Sequence, residues 1–153
     1  MYGGDSAFYK PAEHRIYLNR SFLGNEMRRA AQMKRRTDGS LDDGDLAAIV
    51  IVWHEYGHAV QSQFRSPFKS SLERELNADY LAGLVFGAAQ KARLIEAGDR
   101  DEATNSLLYA KDASDVSPDH PSAHGPGWAR VNNFSKGIEA EMNKQVAARY
   151  RGR

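Results

Sequence analysis

The pattern of hydrophobic and polar positions changes along the chain from short alternating segments to long helical ones. Aromatic and β-branched residues at 7–10 and 15–19 flank a proline-containing turn at 11–14, which predicts two short strands. After them, a helical pattern predicts helices at about 22–36, 45–64, 70–97, 99–112 and 128–150, with polar stretches at 37–44 and 117–127 as loops. The predicted fold class is therefore α+β, mostly helical, with an N-terminal hairpin or small sheet remnant.

The helix predicted at 45–64 carries the strongest chemical signal. An apolar run at 46–53, too short to span a membrane, leads into His54-Glu55-Tyr56-Gly57-His58, which reads H-E-x-x-H. Residues four apart share one helix face, so both imidazoles can reach one metal ion, and Glu55 lies close enough to act as a general base. A His-Glu-His set on a solvated helix face is the alternative. If the helix is buried, these polar groups are costly unless they have partners, and a metal ion would provide one.

A catalytic zinc site needs a third protein ligand. The longer motif H-E-x-x-H-x-x-G-x-x-H is excluded because Gln61 and Phe64 replace its glycine and last histidine. On the next helix, Glu75 and Asp79 stand four apart, where like charges repel. Zinc bound by Glu75, with Asp79 accepting a hydrogen bond from a ligand histidine, would compensate both charges. The alternatives are an ordinary charged face, or Glu73 as ligand, although Glu73 fits a capping box with Ser70.

Composition narrows the class of protein. A length of 153 residues, 41% of them hydrophobic and 27% charged, predicts a single domain with an ordinary core. A net charge of +1 argues against nucleic acid as a partner, and the basic residues at 28–29 and 34–36 are expected on a solvated helix face. The absence of cysteine excludes disulfides and thiolate zinc sites. We expect neither a signal peptide nor a transmembrane segment in this chain, and its compartment and oligomeric state stay open.

Several blocks in order resemble the bacterial neutral zinc metallopeptidases, which are zincins with a glutamate as third ligand. The resemblance covers roughly residues 6–140 and is carried by Phe8-Tyr9-Lys10-Pro11, Ile16-Tyr17-Leu18-Asn19, the H-E-x-x-H helix, Glu75-Leu76-Asn77-Ala78-Asp79, and His124-Gly125 with Arg130, Phe134 and Gly137. It implies a zincin-like fold and hydrolysis of a peptide or protein substrate. It also implies that His54, His58 and Glu75 bind zinc, Glu55 is the base, and Asp79 supports a ligand histidine.

The chain departs from that family at two cysteine positions, where it has Lys10 and Tyr80. If these two cysteines form a disulfide in the relatives, both would be expected to be absent together. We therefore expect this chain to lack that disulfide. Relatives often carry a signal peptide or a membrane anchor.

The expected mechanism uses zinc to activate water and polarise the scissile carbonyl, and Glu55 to move the proton to the leaving amine. His124 is the candidate donor to the oxyanion, chiefly because of the resemblance, and His120 is its rival. Two other classes stay open. One is a zinc-binding, non-catalytic peptide-binding or scaffold module, and the other is a helical protein without metal.

Overall fold

The computed structural model describes residues 6–33, 43–110 and 124–151, apart from the side chains of 33 and 145–151. Within these residues the elements follow the predicted order. Two strands, β1 (Phe8–Lys10) and β2 (Arg15–Tyr17), precede five helices: α1 (Arg20–Met33), α2 (Asp45–Phe64), α3 (Ser71–Lys91), α4 (Asp99–Tyr109) and α5 (Gly127–Arg151). The predicted α+β, mostly helical class with a small N-terminal sheet is therefore confirmed.

The N-terminal hairpin forms as its aromatic pattern predicts. β1 and β2 pair antiparallel, with Tyr9 opposite Ile16, and the rings of Phe8 and Tyr17 stack at 5.1 Å. A 3-10 turn at Pro11–Glu13 joins the strands and ends at His14, whose φ of 50° is left-handed. The hairpin contacts α2 and so borders the helix that carries the H-E-x-x-H motif.

Helix α2 begins and ends where the sequence predicts, at Asp45 and Phe64. A residue distant in sequence caps its first turn. Glu102 of α4 accepts hydrogen bonds from the backbone N–H groups of Gly44, at 3.2 Å, and Leu46, at 3.1 Å. A carboxylate at this end also opposes the positive end of the helix dipole. Glu102 therefore holds α2 against α4.

Two other helix ends differ from the prediction for local reasons. Helix α1 begins at Arg20, two residues early, because the Asn19 side chain accepts a hydrogen bond from the backbone N–H of Phe22 at 3.0 Å. Helix α3 ends at Lys91 instead of near 97, because Arg93 takes a left-handed φ of 61°. The predicted ends at 36 and 112, and most of the loop at 117–127, lie outside the described residues.

The start of α3 contains the predicted Ser70 cap in a slightly different form. The Ser70 hydroxyl accepts a hydrogen bond from the backbone N–H of Glu73 at 3.1 Å, as expected. The Glu73 carboxylate reaches one residue further back than a capping box requires, to the N–H of Lys69 at 2.7 Å. The Glu73 carboxylate therefore binds the backbone of the loop that precedes α3.

Small residues bring the helices close together around the candidate site. A Cβ at Gly83 of α3 would lie 2.0 Å from the Phe134 carbonyl oxygen, and one at Gly137 of α5 would lie 2.1 Å from the Tyr80 carbonyl oxygen. A Cβ at Gly57 of α2 would lie 3.0 Å from the Ala78 backbone of α3. The core beside these crossings consists of Leu46, Val50, Ala82, Phe86, Ala103, Leu107, Phe134 and Ile138.

None of the described helices is both long enough and apolar enough to span a lipid bilayer.

Candidate metal centre

Helices α2 and α3 bring three ligand atoms together at one point. His54 and His58 lie one turn apart on α2, with their Nε2 atoms 3.1 Å from each other. Glu75 of α3 places Oε2 at 3.1 Å from Nε2 of His54 and Oε1 at 3.3 Å from Nε2 of His58. The Gly57–Ala78 contact allows the two helices to approach this closely. The three predicted ligand residues are thus neighbours in the structure, and they could hold one metal ion.

The orientation of both imidazoles suits a metal ion. Nδ1 of His54 donates to Oδ1 of Asp79 at 2.8 Å, and Nδ1 of His58 donates to Oε1 of Gln61 at 2.9 Å. A neutral imidazole with its proton on Nδ1 has a lone pair on Nε2. Two such nitrogens and a carboxylate therefore face one point, which is the donor set of a catalytic zinc site.

Asp79 contacts a ligand histidine as predicted, and it also has a partner that the sequence analysis did not assign. Arg130 of α5 donates from Nε to Oδ2 of Asp79 at 2.9 Å and from Nη2 to Oδ1 at 2.8 Å. Both side chains are buried. Burial alone would raise the pKa of Asp79, but the adjacent Arg130 and His54 hold that pKa below its usual range. Asp79 therefore carries a negative charge beside His54.

The charges around the centre favour a cation there. Burial alone would lower the pKa of His54, but Asp79 and Glu75 beside it raise that pKa to about 9. Burial likewise works to raise the pKa of Glu75, and hydrogen bonds from His54 and His58 lower it well below its usual range. In the metal-free chain a proton on His54 supplies the positive charge, and a bound metal would take its place.

Glu55 lies beside the metal centre and contacts the N-terminal hairpin. Its Oε2 accepts a hydrogen bond from the backbone N–H of Tyr9 at 2.7 Å, and its side chain is buried. Glu55 and His54 both line a cavity of about 540 Å³. The cavity is also lined by Ser6, Ala7, Phe22, Glu26, Arg29, Ile51, Ser106, Leu107, Tyr109, Ala110, His124 and Arg130.

The other residues that the sequence predicts for the site lie in different parts of the chain. His124 is exposed and lies on the wall of this cavity, whereas His120 lies outside the described residues. Glu73 is exposed at the start of α3 and hydrogen-bonds to Lys69, away from the three-residue cluster that contains Glu75. The geometry therefore favours Glu75 over Glu73 as the third ligand.

Three groups at the site had no assigned role from sequence: Arg130, Gln61 and the backbone N–H of Tyr9. Gln61 follows His58 by three residues, a spacing that puts both on one helix face and could have indicated the contact. Arg130 and Tyr9 lie 51 and 46 residues from their partners Asp79 and Glu55. Arg130 is among the residues that carry the family resemblance, and a buried carboxylate needs a positive partner, but neither signal pairs Arg130 with Asp79.

The chain is similar to one family of known proteins. A family model described as "Putative neutral zinc metallopeptidase" matches residues 3–148. Two curated relatives, both described as "Uncharacterized protein YpfJ", come from Escherichia coli strain K12 and Escherichia coli O6:H1 strain CFT073. Each is 28% identical over 155 residues, which cover 87% of this chain and 50% of the relative. The chain thus spans about half the length of these relatives. No solved structure matches it.

The family match extends over almost the whole chain and includes every described residue of the candidate metal centre. The chain therefore belongs to the family described as "Putative neutral zinc metallopeptidase".

Proposed function

We propose that this chain is a zinc-dependent peptidase in which His54, His58 and Glu75 bind the metal and Glu55 is the general base. The observation that carries the proposal is the convergence of two Nε2 atoms and one carboxylate at one point. Of this cluster, His54 lines a cavity of about 540 Å³ together with the adjacent Glu55. Membership of the zinc metallopeptidase family supports both the metal and the class of reaction. A purely structural metal site would not need a general base at position 55.

Each residue has a distinct part in this reaction. When bound, zinc would lower the pKa of a water molecule and polarise the scissile carbonyl. The Glu55 carboxylate takes a proton from the attacking water and gives it to the leaving amine nitrogen. Asp79 and Gln61 keep the two imidazoles turned with Nε2 towards the metal position. We further propose His124, on the cavity wall, as a donor to the oxyanion.

The strand β1 offers a place for an extended peptide. The backbone N–H of Tyr9 points towards Glu55 and therefore away from β2, so this edge of β1 faces the active-site helix. A substrate added along this edge would be held by main-chain hydrogen bonds, which demand no particular side chains.

Replacing Glu55 by glutamine tests the proposal. The amide keeps the size of the side chain but cannot take a proton, so the variant should bind one zinc per chain and fail to cleave a mixture of unstructured peptides. Zinc content would be measured by elemental analysis, and cleavage by mass spectrometry. Glu139→Gln, the same change at an exposed position of α5, is the control and should behave as the wild type.

The outcomes separate the possible functions. A Glu55→Gln chain that keeps its zinc but loses cleavage supports the base assignment, and a variant that loses zinc contradicts it. If the wild type binds zinc but cleaves no peptide, a non-catalytic peptide-binding or scaffold module becomes the better description. A wild type that binds no zinc at neutral pH would overturn the whole proposal.

A further inference from the structure

Gln61 is a buried amide beneath the candidate metal centre. Its side chain is 5% exposed. Its Oε1 accepts a hydrogen bond from Nδ1 of His58 at 2.9 Å, and its Nε2 donates to the carbonyl oxygen of Arg74 at 2.8 Å and to Oδ1 of Asn77 at 3.1 Å. Buried amides are costly unless they are fully hydrogen-bonded, and this one is engaged at both ends.

The partners of this amide determine which way it faces. The carbonyl oxygen of Arg74 can only accept a hydrogen bond, so the Gln61 atom beside it must be the NH₂ group. The Gln61 oxygen is then turned towards His58, whose Nδ1 must carry the proton. A neutral His58 therefore has its lone pair on Nε2, the atom that lies 3.3 Å from Glu75.

The same amide ties the two ligand-bearing helices together. Arg74 directly precedes Glu75 on α3, and Asn77 follows it by two residues. Both hydrogen bonds from Nε2 of Gln61 therefore end on the turn of α3 that carries the third ligand. Because the amide oxygen holds His58 and the amide nitrogen holds this turn, Gln61 spans the distance between two of the three ligands.

We propose that Gln61 is a positioning residue of the metal centre: it fixes the tautomer and the ring orientation of His58 and sets the place of Glu75 relative to it. The inference rests on the metal centre of the proposed function. It also implies that the two histidines are supported unequally. The ionised Asp79 supports His54, whereas a neutral amide supports His58. The supporting residues thus add one negative charge to the centre, which Arg130 balances.

Gln61→Met tests this role, because methionine has a similar length but neither accepts from His58 nor donates to Arg74. We expect the dissociation constant for zinc, measured by competition with a chromophoric chelator, to rise about 10- to 100-fold. Cobalt bound in place of zinc should show an altered visible absorption spectrum, which reports the arrangement of its ligands. Gln63→Met is the matched control, since Gln63 lies on the same helix but is exposed, and it should change neither quantity.

Gln61→Glu separates the effect of the hydrogen bond from His58 from the effect of the hydrogen bonds to α3. Its carboxylate can still accept from Nδ1 of His58 but can no longer donate to Arg74. We expect zinc affinity well above that of the methionine variant. Equal losses in both variants would mean that the tie to α3 acts alone, which would overturn the role assigned to the His58 hydrogen bond.

Folding of each variant would be checked by circular dichroism. If Gln61→Met is folded only with metal bound, the rate of zinc release to excess chelator replaces the affinity and should increase. Wild-type affinity or release in Gln61→Met would overturn the inference and leave the proposed function intact. A wild type without zinc would instead defeat the proposed function itself.

Discussion

At the scale of single residues, the sequence predicts best where the chemistry is local. The spacing of His54 and His58 by one helical turn is sufficient to predict that both face one point, because helix periodicity determines it. The pairing of Glu75 and Asp79 works in the same way on α3. Arg130 and the backbone N–H of Tyr9 could not be assigned, because their contacts depend on how distant elements pack.

Glu75→Ala should remove most of the zinc affinity, because it deletes the only carboxylate in the three-residue cluster. Two imidazoles alone would remain, which is fewer ligands than a catalytic zinc site uses. Zinc content after gel filtration would measure the effect. Glu73→Ala is the control, since that exposed carboxylate hydrogen-bonds to Lys69 and should leave zinc bound. Zinc retained in Glu75→Ala but lost in Glu73→Ala would reverse the assignment of the third ligand.

Asp79→Asn should weaken zinc binding about 10- to 100-fold, the usual cost of losing the residue behind a ligand histidine. The amide keeps the shape of the carboxylate but loses its charge, so the His54 imidazole becomes a poorer ligand. The change also leaves Arg130 buried beside a neutral group, which should lower stability. Affinity would therefore be measured by chelator competition at a temperature where the variant is folded. An unchanged affinity would show that Asp79 does not support the metal centre.

At the scale of elements, local pattern and capping residues explain most boundaries. The apolar run at 46–53 predicts α2, whereas the predicted end of α3 near 97 is wrong. Arg93 takes a left-handed φ, and residues 88–97 contain no proline or glycine that would indicate this break. The sequence contains Gly83 and Gly137, but it cannot show that they face each other. Only the packing of α3 on α5 reveals that contact.

Gly83→Ala should destabilise the chain strongly, because the added Cβ would lie 2.0 Å from the carbonyl oxygen of Phe134 and α5 would have to move away. Overpacking of this kind costs about 1–3 kcal/mol or more. Gly24→Ala on α1 is the control. Its nearest neighbour, the Arg28 side chain, would be 3.5 Å away, and alanine favours a helix by up to about 1 kcal/mol. Urea unfolding of the metal-free variants would compare them, and similar effects would contradict the proposed close packing.

At the scale of the whole molecule, four buried charged groups from three helices form one network: His54, Glu75, Asp79 and Arg130. The sequence predicts three of these residues as a site but not the balance of their charges, because the position of Arg130 depends on how α5 packs against α3. The network has two consequences for metal binding and stability, because the pKa of His54 is raised to about 9.

The first consequence concerns the metal-free chain. The pKa of His54 is higher in the folded than in the unfolded state, where it is 6.5. Its contribution to the free energy of unfolding is therefore fully present below about pH 6.5 and is lost as the pH rises through about 9. Glu75 and Asp79 act at the acidic end, because their lowered pKa values give stability that is lost as the pH falls. Urea unfolding at a series of pH values should thus show metal-free stability declining from pH 6.5 to 9.

The second consequence is that zinc and a proton compete for His54. Zinc affinity should rise with pH up to about 9, and binding near pH 7 should release a proton from His54. Calorimetry in buffers of different ionisation enthalpy would count the protons. Asp79→Asn removes the main charge that raises the pKa of His54, so its affinity should level off at a lower pH than in the wild type. The same plateau in both chains would show that Asp79 does not govern the proton that zinc displaces.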